Sequence, residues 1–417
     1  MGFLNSVLYF KKNLSWLFGE KVIVTLFGLF ISISLARYFT PESYGEYSYV
    51  LSILSLFSIF TTMGLDDLLV RNIIKNNQTG ILLSTSFWIR FFGSTLSFIL
   101  IGLFSYFTDN HDVFLLVIMI AISYFLKPFD VVEAYLKSEE KQHLIAKNNI
   151  VSTLFYTICV FIGIYFKLSL KFFVFTMIIQ AIFKSLYYIF LIKNQFDLSI
   201  FKKNTAKNLI NEGWIVLMVS SVSLLNMKLD QVFISKMVGN EDLANYSIAA
   251  KISDAWFLLP TVLSALLFPR MISLYDENPI RFKNFLINIT LIMLSIAIPY
   301  LIFINFFSEE IVQIIFGSKY NSAYRYLDIY IWSGLPFFVF FAFNMVYYIL
   351  KITKLLLRIS IFSFCLNTVL NLILINNFGA IGAAYATLIV SFSTILYSLS
   401  ILYSNRDRFN LKIDKNV

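Results

Sequence analysis

The sequence predicts an all-α integral membrane protein with about twelve transmembrane helices arranged as two six-helix lobes. Three observations predict it: the apolar content, the length of the apolar runs, and the alternation of charge between the links joining them. Of 417 residues, 59% are hydrophobic and 14% charged, and the mean hydropathy is +0.77. A soluble chain of this length cannot hide so much apolar surface, so the bilayer is its expected solvent. The 46 Phe suit lipid, and the 24 Tyr suit interfaces and polar cavities.

A helix needs about 20 apolar residues to span the hydrocarbon. Runs of that length lie near residues 17–38, 44–63, 81–107, 113–136, 149–166 and 171–192, and again near 213–234, 243–268, 284–307, 326–350, 355–375 and 380–403. Such long runs are helices and not the short alternating strands of a barrel. The N-terminal stretch MGFLNSVLYFKKNLSW is short and amphipathic, so no cleavable signal peptide is expected. Cys159 and Cys365 both fall inside apolar runs and read as small hydrophobes.

The net charge of +9 would point to nucleic acid in a soluble protein, but here the cations sit mainly in the links. One alternate set of links carries 21 Lys and Arg. The other carries six: Arg37, Lys167, Lys171, Lys236, Lys319 and Arg325. The positive-inside rule then sets both termini in the cytoplasm, and no nucleic-acid partner is expected. The polar segment around residues 194–213 divides the chain. The expected organisation is an N-terminal lobe over 1–195, a cytoplasmic linker over 196–212 with a surface helix, a C-terminal lobe over 213–404 and a cytoplasmic tail over 405–417.

A faint internal echo supports the division. Residues 36–48 read ARYFTPESYGEYS and residues 235–247 read SKMVGNEDLANYS, an offset of 236 − 37 = 199 that sets Arg37 opposite Lys236, Glu42 opposite Glu241 and Tyr47 opposite Tyr246. Six is an even number of spans, so the two halves start on the same side. Their expected relation is a pseudo-two-fold axis along the membrane normal.

Charge inside hydrocarbon costs roughly 2.5–3.5 kcal/mol per residue on insertion scales, so it faces a cavity or a partner. By a rise of about 1.5 Å per residue, Arg90 lies about 14 Å into the third span and Lys184 about 20 Å into the sixth. Neither has an acid three or four residues away on its own helix. Each therefore needs another helix, water or an anionic ligand, and both are expected to line a cavity. Lys228 and Asp230 fall in the outer part of the seventh span, and Lys251 and Asp254 in the eighth, where the latter two either neutralise each other or serve a site. Lys127, Asp130, Glu133 and Lys137 form a stripe on the fourth span that reads as helix packing and a solvated end. Glu20, Lys21, Asp66 and Asp67 read as snorkelling charges at the cytoplasmic ends. Pro128, Pro260, Pro299 and Pro336 lie within spans, where proline kinks a helix.

The chain has no GxxxxGK[ST] loop for nucleotide phosphates and no GxSxG serine. His111 and His143 lack metal-ligand spacing. Neither catalysis, a metal nor a cofactor is therefore expected.

Two stretches carry a resemblance. GEKVIVTLFGLFISISLARYFTPESYGEYSYVLSILSLFSIFTTMGLDDLLVR contains an LARxLxPxxYGxYS-like link and a GLDxxxVR end. DQVFISKMVGNEDLANYSIAAKISDAWFLLPTVLSALLFPRMISLY contains an Asp, a YSxAxK stretch and an apolar run ending in PRMIS. Both are similar to polysaccharide flippases of the Wzx type, which carry O-antigen or capsule units and belong with the multidrug and toxin (MATE) exporters in one superfamily. The resemblance implies a MATE-like fold whose central cavity opens alternately to each side. It implies transport of an oligosaccharide on polyprenyl pyrophosphate from the inner to the outer leaflet of the bacterial cytoplasmic membrane, coupled to protons or another cation. It further implies a monomer working with membrane lipids, a polysaccharide polymerase and a chain-length regulator. In that setting Arg90, Lys184, Lys228 and Lys251 are the candidates to meet a pyrophosphate, and Asp230 and Asp254 are the candidates for ion coupling. Two other readings compete. A cation antiporter of the same fold should present acids and not bases at depth, and a membrane polymerase or ligase should carry a large outer loop, whereas residues 308–325 are short and partly apolar.

Overall fold

A computed structural model describes residues 2–75, 78–192, 197, 200–256, 258–350 and 352–404. Among these every regular element is helical. Contacts divide the chain into two units, one of Met1–Phe39 with Tyr49–Leu224 and one of Thr40–Ser48 with Leu225–Val417. The expected tail 405–417 lies outside the described residues, as do residues 196, 198 and 199 of the expected linker.

The helices in the first half are α1 (Gly2–Tyr38), α2 (Pro41–Phe57), α3 (Ile59–Thr62), α4 (Asp66–Lys75), α5 (Thr79–Thr108), α6 (His111–Ala121), α7 (Val131–Ser138), α8 (Gln142–Tyr165), α9 (Leu170–Ile192) and α10 (Lys203–Met237). Those in the second half are α11 (Asn240–Trp256), α12 (Leu258–Glu277), α13 (Pro279–Phe306), α14 (Ser308–Phe316), α15 (Ala323–Tyr330), α16 (Gly334–Ile349), α17 (Thr353–Phe378) and α18 (Ile381–Ser404).

Among the described residues, 11 helical stretches are long and apolar enough to cross a membrane. They coincide with eleven of the twelve expected runs. The remaining run, 243–268, falls on α11 and α12, which flank residue 257 outside the described set. Large apolar side chains face outward all along these helices, with Phe107, Phe190, Phe306 and Leu396 among the most exposed. That pattern suits lipid and not water, and the chain is a multi-pass membrane protein.

Local sequence explains where the helices begin and bend. Asn110 accepts a hydrogen bond from the Val113 amide and caps α6, and Asn278 accepts from Ile280 and Arg281 to cap α13. Gly379 ends α17 with a φ of 65°, a conformation that side-chain-bearing residues avoid. Of the prolines expected to kink spans, Pro128 sits in a nine-residue 3₁₀ stretch, Ile122–Asp130, between α6 and α7. Its nitrogen has no hydrogen to donate and its ring crowds the preceding turn, and the residues around it take up i→i+3 bonding. Pro260 and Pro336 fall in the first turns of α12 and α16, where a missing amide costs little. Of these four, Pro299 is the one in the interior of a continuous helix, α13.

The helix α10 departs most from expectation. Its 35 residues make a rod of about 52 Å, well beyond the roughly 30 Å of hydrocarbon. Its first turns take up the second half of the expected linker, so that segment continues into the seventh span instead of forming a separate surface helix.

In the first unit, α1 packs on α8, α8 on α9, and α4 on α7, while α5 and α9 flank the 3₁₀ stretch. Leu69, Leu83, Phe87, Val131, Val132 and Tyr188 form the buried core there. In the second unit α17 packs on α18, α13 on α16, and α11 on α15, around a core of Met271, Phe282, Met293, Phe338, Ala342 and Tyr347. The start of α2 also belongs to this unit: Gly45 lies so close to α11 that a β-carbon there would overlap the Asn240 carbonyl. The two echoing sequence segments thus meet.

Gly45→Val should force these backbones apart. The expected cost is at least the 1–3 kcal/mol of about one overpacked core position, read as a lowered melting temperature of the purified protein. Gly28→Ala, with open space around the new carbon, should be neutral. Equal melting temperatures for Gly45→Val and wild type would refute this packing.

Candidate functional site

Both cations singled out in the first half are matched by carboxylates from other helices. Arg90 lies on the inner face of α5 and is 1% exposed. Its guanidinium reaches Asp66 at the first turn of α4, with an N–O distance of 2.5 Å. The Lys184 ammonium, on α9, donates to Glu133 at 2.9 Å and lies 3.4 Å from Asp130. Asp130 also meets Lys127 at 3.7 Å. Tyr188, one turn along α9 from Lys184, donates to Glu133 at 2.9 Å. The geometry follows from two spacings. Asp130 and Glu133 stand three residues apart where the 3₁₀ stretch becomes α7, and Lys184 and Tyr188 stand four apart on one face of α9. Glu20 on α1 accepts from Asn149 on α8 at 2.9 Å. The polar stripe of the fourth span therefore supplies the counter-charges that Lys184 lacks on its own helix.

The second unit is organised differently. Asp230, 2% exposed on α10, accepts from the Gln231 amide at 2.7 Å and from the Tyr246 hydroxyl. Tyr246, fully buried on α11, stands 3.5 Å from the Thr387 hydroxyl of α18, and its ring meets Tyr330 of α15 edge to face at 5.7 Å. Tyr330 bears electrostatically on Asp254, whose Oδ1 is buried without a hydrogen-bond partner among the described residues. Lys228 acts electrostatically on both carboxylates. Four helices thus hold two acids, two buried phenols, a hydroxyl and one cation in a single polar cluster. Phenols donate to carboxylates and can also pass a proton on, so the cluster has the groups needed to bind and release a small cation or a proton.

Lys251 stands apart. Among the described residues no ion pair involves it, and the pair with Asp254 three residues away does not form. Instead its ammonium donates to the Tyr44 hydroxyl at 2.8 Å and lies 4.8 Å from the centre of that ring. Tyr44 is fully buried and packs edge to face on Tyr320 at 5.9 Å. A phenol and a π face stabilise an ammonium by less than a carboxylate does and leave its charge uncompensated.

The six singled-out residues thus fall into three environments: Arg90 and Lys184 in the first unit's ion pairs, Lys228, Asp230 and Asp254 in one cluster, and Lys251 against a phenol. Sequence reasoning missed Tyr44, Tyr246, Tyr330 and Thr387. Tyr246 carried a signal in the echo, opposite Tyr47, but nothing separated it from the other tyrosines.

Lys184→Gln should leave two partly buried carboxylates facing each other, at a cost of about 3 kcal/mol. The expected result is a markedly lower melting temperature, restored by adding Asp130→Asn and Glu133→Gln. A wild-type melting temperature for the single variant would show that the ion pairs contribute nothing to the fold.

Residues 34–325 match the family model described as polysaccharide biosynthesis protein. Among solved structures the chain is similar to the inward-facing conformation of a multidrug resistance MATE family transporter of the MOP superfamily, with 14% identity, a TM-score of 0.74, and coverage of 92% of this chain and 96% of that one. It is also similar to the lipid II flippase MurJ in an inward closed conformation, with 18% identity, a TM-score of 0.74, and coverage of 93% and 87%. A MATE in complex with MaL6 matches at 14% identity and a TM-score of 0.64 over 95% of this chain and 97% of that one. These likenesses show the fold. No curated protein sequence matches at a significant level.

Proposed function

Since the chain belongs to the polysaccharide biosynthesis protein family and folds as a MOP-superfamily transporter, we propose that it flips polyprenyl-pyrophosphate-linked oligosaccharide units across the bacterial cytoplasmic membrane. The transport is by alternating access and is coupled to a proton or another cation. The family match supports a polysaccharide cargo, and the likeness to a lipid II flippase supports one carried on a lipid.

One observation carries the assignment of residues: Lys251 is a cation set against a phenol, and among the described residues it forms no ion pair with a carboxylate. A pyrophosphate entering a low-dielectric site needs uncompensated positive charge. Arg90 and Lys184 would have to surrender carboxylates to provide it, whereas Lys251 exchanges only a phenol. Lys251 is therefore the first contact for the pyrophosphate and Lys228 the second, since Lys228 makes no ion pair among the described residues but shares its field with Asp230 and Asp254. Arg90 and Lys184 hold the first unit together.

The coupling cation is assigned to the Asp230–Tyr246–Asp254–Tyr330 cluster. Loading the cluster with a proton or metal cation neutralises the acids that otherwise offset Lys228. That raises the local positive charge available to an anionic cargo. Releasing the cation restores the offset and favours cargo release. Cargo and cation affinity are linked in this scheme, and the linkage must be reciprocal.

Lys251→Met should abolish surface polysaccharide while leaving membrane levels of the protein intact, and Lys251→Arg should retain a measurable part of it. Asp230→Asn and Tyr246→Phe should lower export without removing the protein from the membrane. Wild-type polysaccharide from cells carrying Lys251→Met would overturn the assignment of that residue.

A further inference from the structure

Away from the membrane-embedded charges, the first unit holds a polar cavity of about 180 Å³ where the end of α4 and the starts of α5 and α10 come together. Leu82 and Leu209 form its buried floor. Its walls carry the amides of Asn72, Gln78 and Asn208 and the hydroxyl of Thr205, with Glu212 at the edge held by Arg71. Thr205, Asn208 and Glu212 fall three and four residues apart, so one face of α10 supplies half of the wall. Gln78 precedes the first residue of α5 but does not use its side chain to cap that helix. Among the described residues none of the four neutral polar side chains has a hydrogen-bond partner.

Uncommitted amides and a hydroxyl converging on one cavity read a ligand that both donates and accepts hydrogen bonds. Each amide offers two donors and a carbonyl oxygen, which matches hydroxyl groups. The apolar floor suits the C–H face of such a ligand, and among the described residues no aromatic ring lines the cavity to stack on a flat base. Charge on the neighbouring residues adds the second requirement. Lys75 at the end of α4, Lys202 just before α10, and Lys203 and Lys207 within α10 are all exposed, and Arg71 is the partner of Glu212. The starts of two long helices, α5 and α10, also point their free amides towards this end. Clusters of cations beside spans at the bilayer surface favour phosphate headgroups.

We propose that this cavity binds a hydroxyl-rich group joined to a phosphate at the bilayer surface. Two sources offer that chemistry: a glycerophosphate lipid headgroup, and a sugar phosphate. The amides and Thr205 take the hydroxyls, and the neighbouring lysines of α4 and α10 take the phosphate. The site does not rest on the transport reading, because it is read from a cavity remote in sequence from Lys228, Asp230, Lys251 and Asp254.

Binding to the purified full-length protein tests the proposal in two arms. In the first, nanodiscs of phosphatidylcholine carry either phosphatidylglycerol or phosphatidylserine, and retained lipid is counted by native mass spectrometry. In the second, the melting temperature in detergent is followed with glucose 1-phosphate and with inorganic phosphate. A preference for phosphatidylglycerol over phosphatidylserine that disappears in Asn72→Ala/Asn208→Ala assigns a lipid headgroup. Stabilisation by glucose 1-phosphate beyond that of inorganic phosphate, lost in the same variant, assigns a sugar phosphate. Each lost hydrogen bond should cost about fivefold in affinity. Gln78→Ala, in an exposed link, gives the same reading should the double variant fold poorly. Ligands of equal charge binding equally in both arms, or a preference that survives these substitutions, would overturn the proposal.

Discussion

The cost of placing charge in hydrocarbon is the constraint on which the rest of this structure depends. Every cation within a span must find a carboxylate, a polar cavity or a ligand. The first unit meets the constraint with protein carboxylates. Arg90 is matched by Asp66, and Lys184 by Asp130 and Glu133, through helices that are distant in sequence. The result ties α4 to α5, and α9 to the fourth span, by interactions that are expensive to break. The second unit meets it only in part, with two acids sharing the field of Lys228 and with Lys251 resting on Tyr44.

That asymmetry gives the two units different physical characters although their sequences echo each other. A unit whose internal charges are paired is suited to move as a body. A unit with an ammonium that forms no ion pair among the described residues has binding capacity left over. Transport demands both, since a carrier needs rigid parts to move and a site whose occupancy changes. The start of α2 adds a mechanical detail. It belongs by its contacts to the second unit while the rest of the helix belongs to the first, and it brings the phenol that Lys251 uses.

Much of this architecture was legible in the sequence because hydrophobic length and link charge are local quantities. Eleven of the expected spans coincide with helices whose limits differ mainly at polar ends, as at Lys203, where α10 runs on through residues that read as linker. The eighth span was the hardest to read, since Lys251 and Asp254 interrupt its apolar run. Individual partners were not legible. Lys184 could be seen to need one, but that its partners would be Asp130 and Glu133 depends on the 3₁₀ stretch around Pro128, which sets the rotation of everything beyond it. Tyr44 lies 207 positions from Lys251, and no periodicity connects them.

In the proposed transport it is Lys251, and not the paired cations of the first unit, that receives the phosphate of the cargo. The most direct measurement is the affinity of purified protein for undecaprenyl pyrophosphate, compared between Lys251→Met and the triple variant Asp130→Asn/Glu133→Gln/Lys184→Gln, which removes the ion pairs of Lys184. The account predicts a loss of about tenfold or more for the first, as expected for a charge-assisted contact of at least about 1.4 kcal/mol, and near wild-type affinity for the second. Wild-type affinity in Lys251→Met together with lost binding in the triple variant would contradict it.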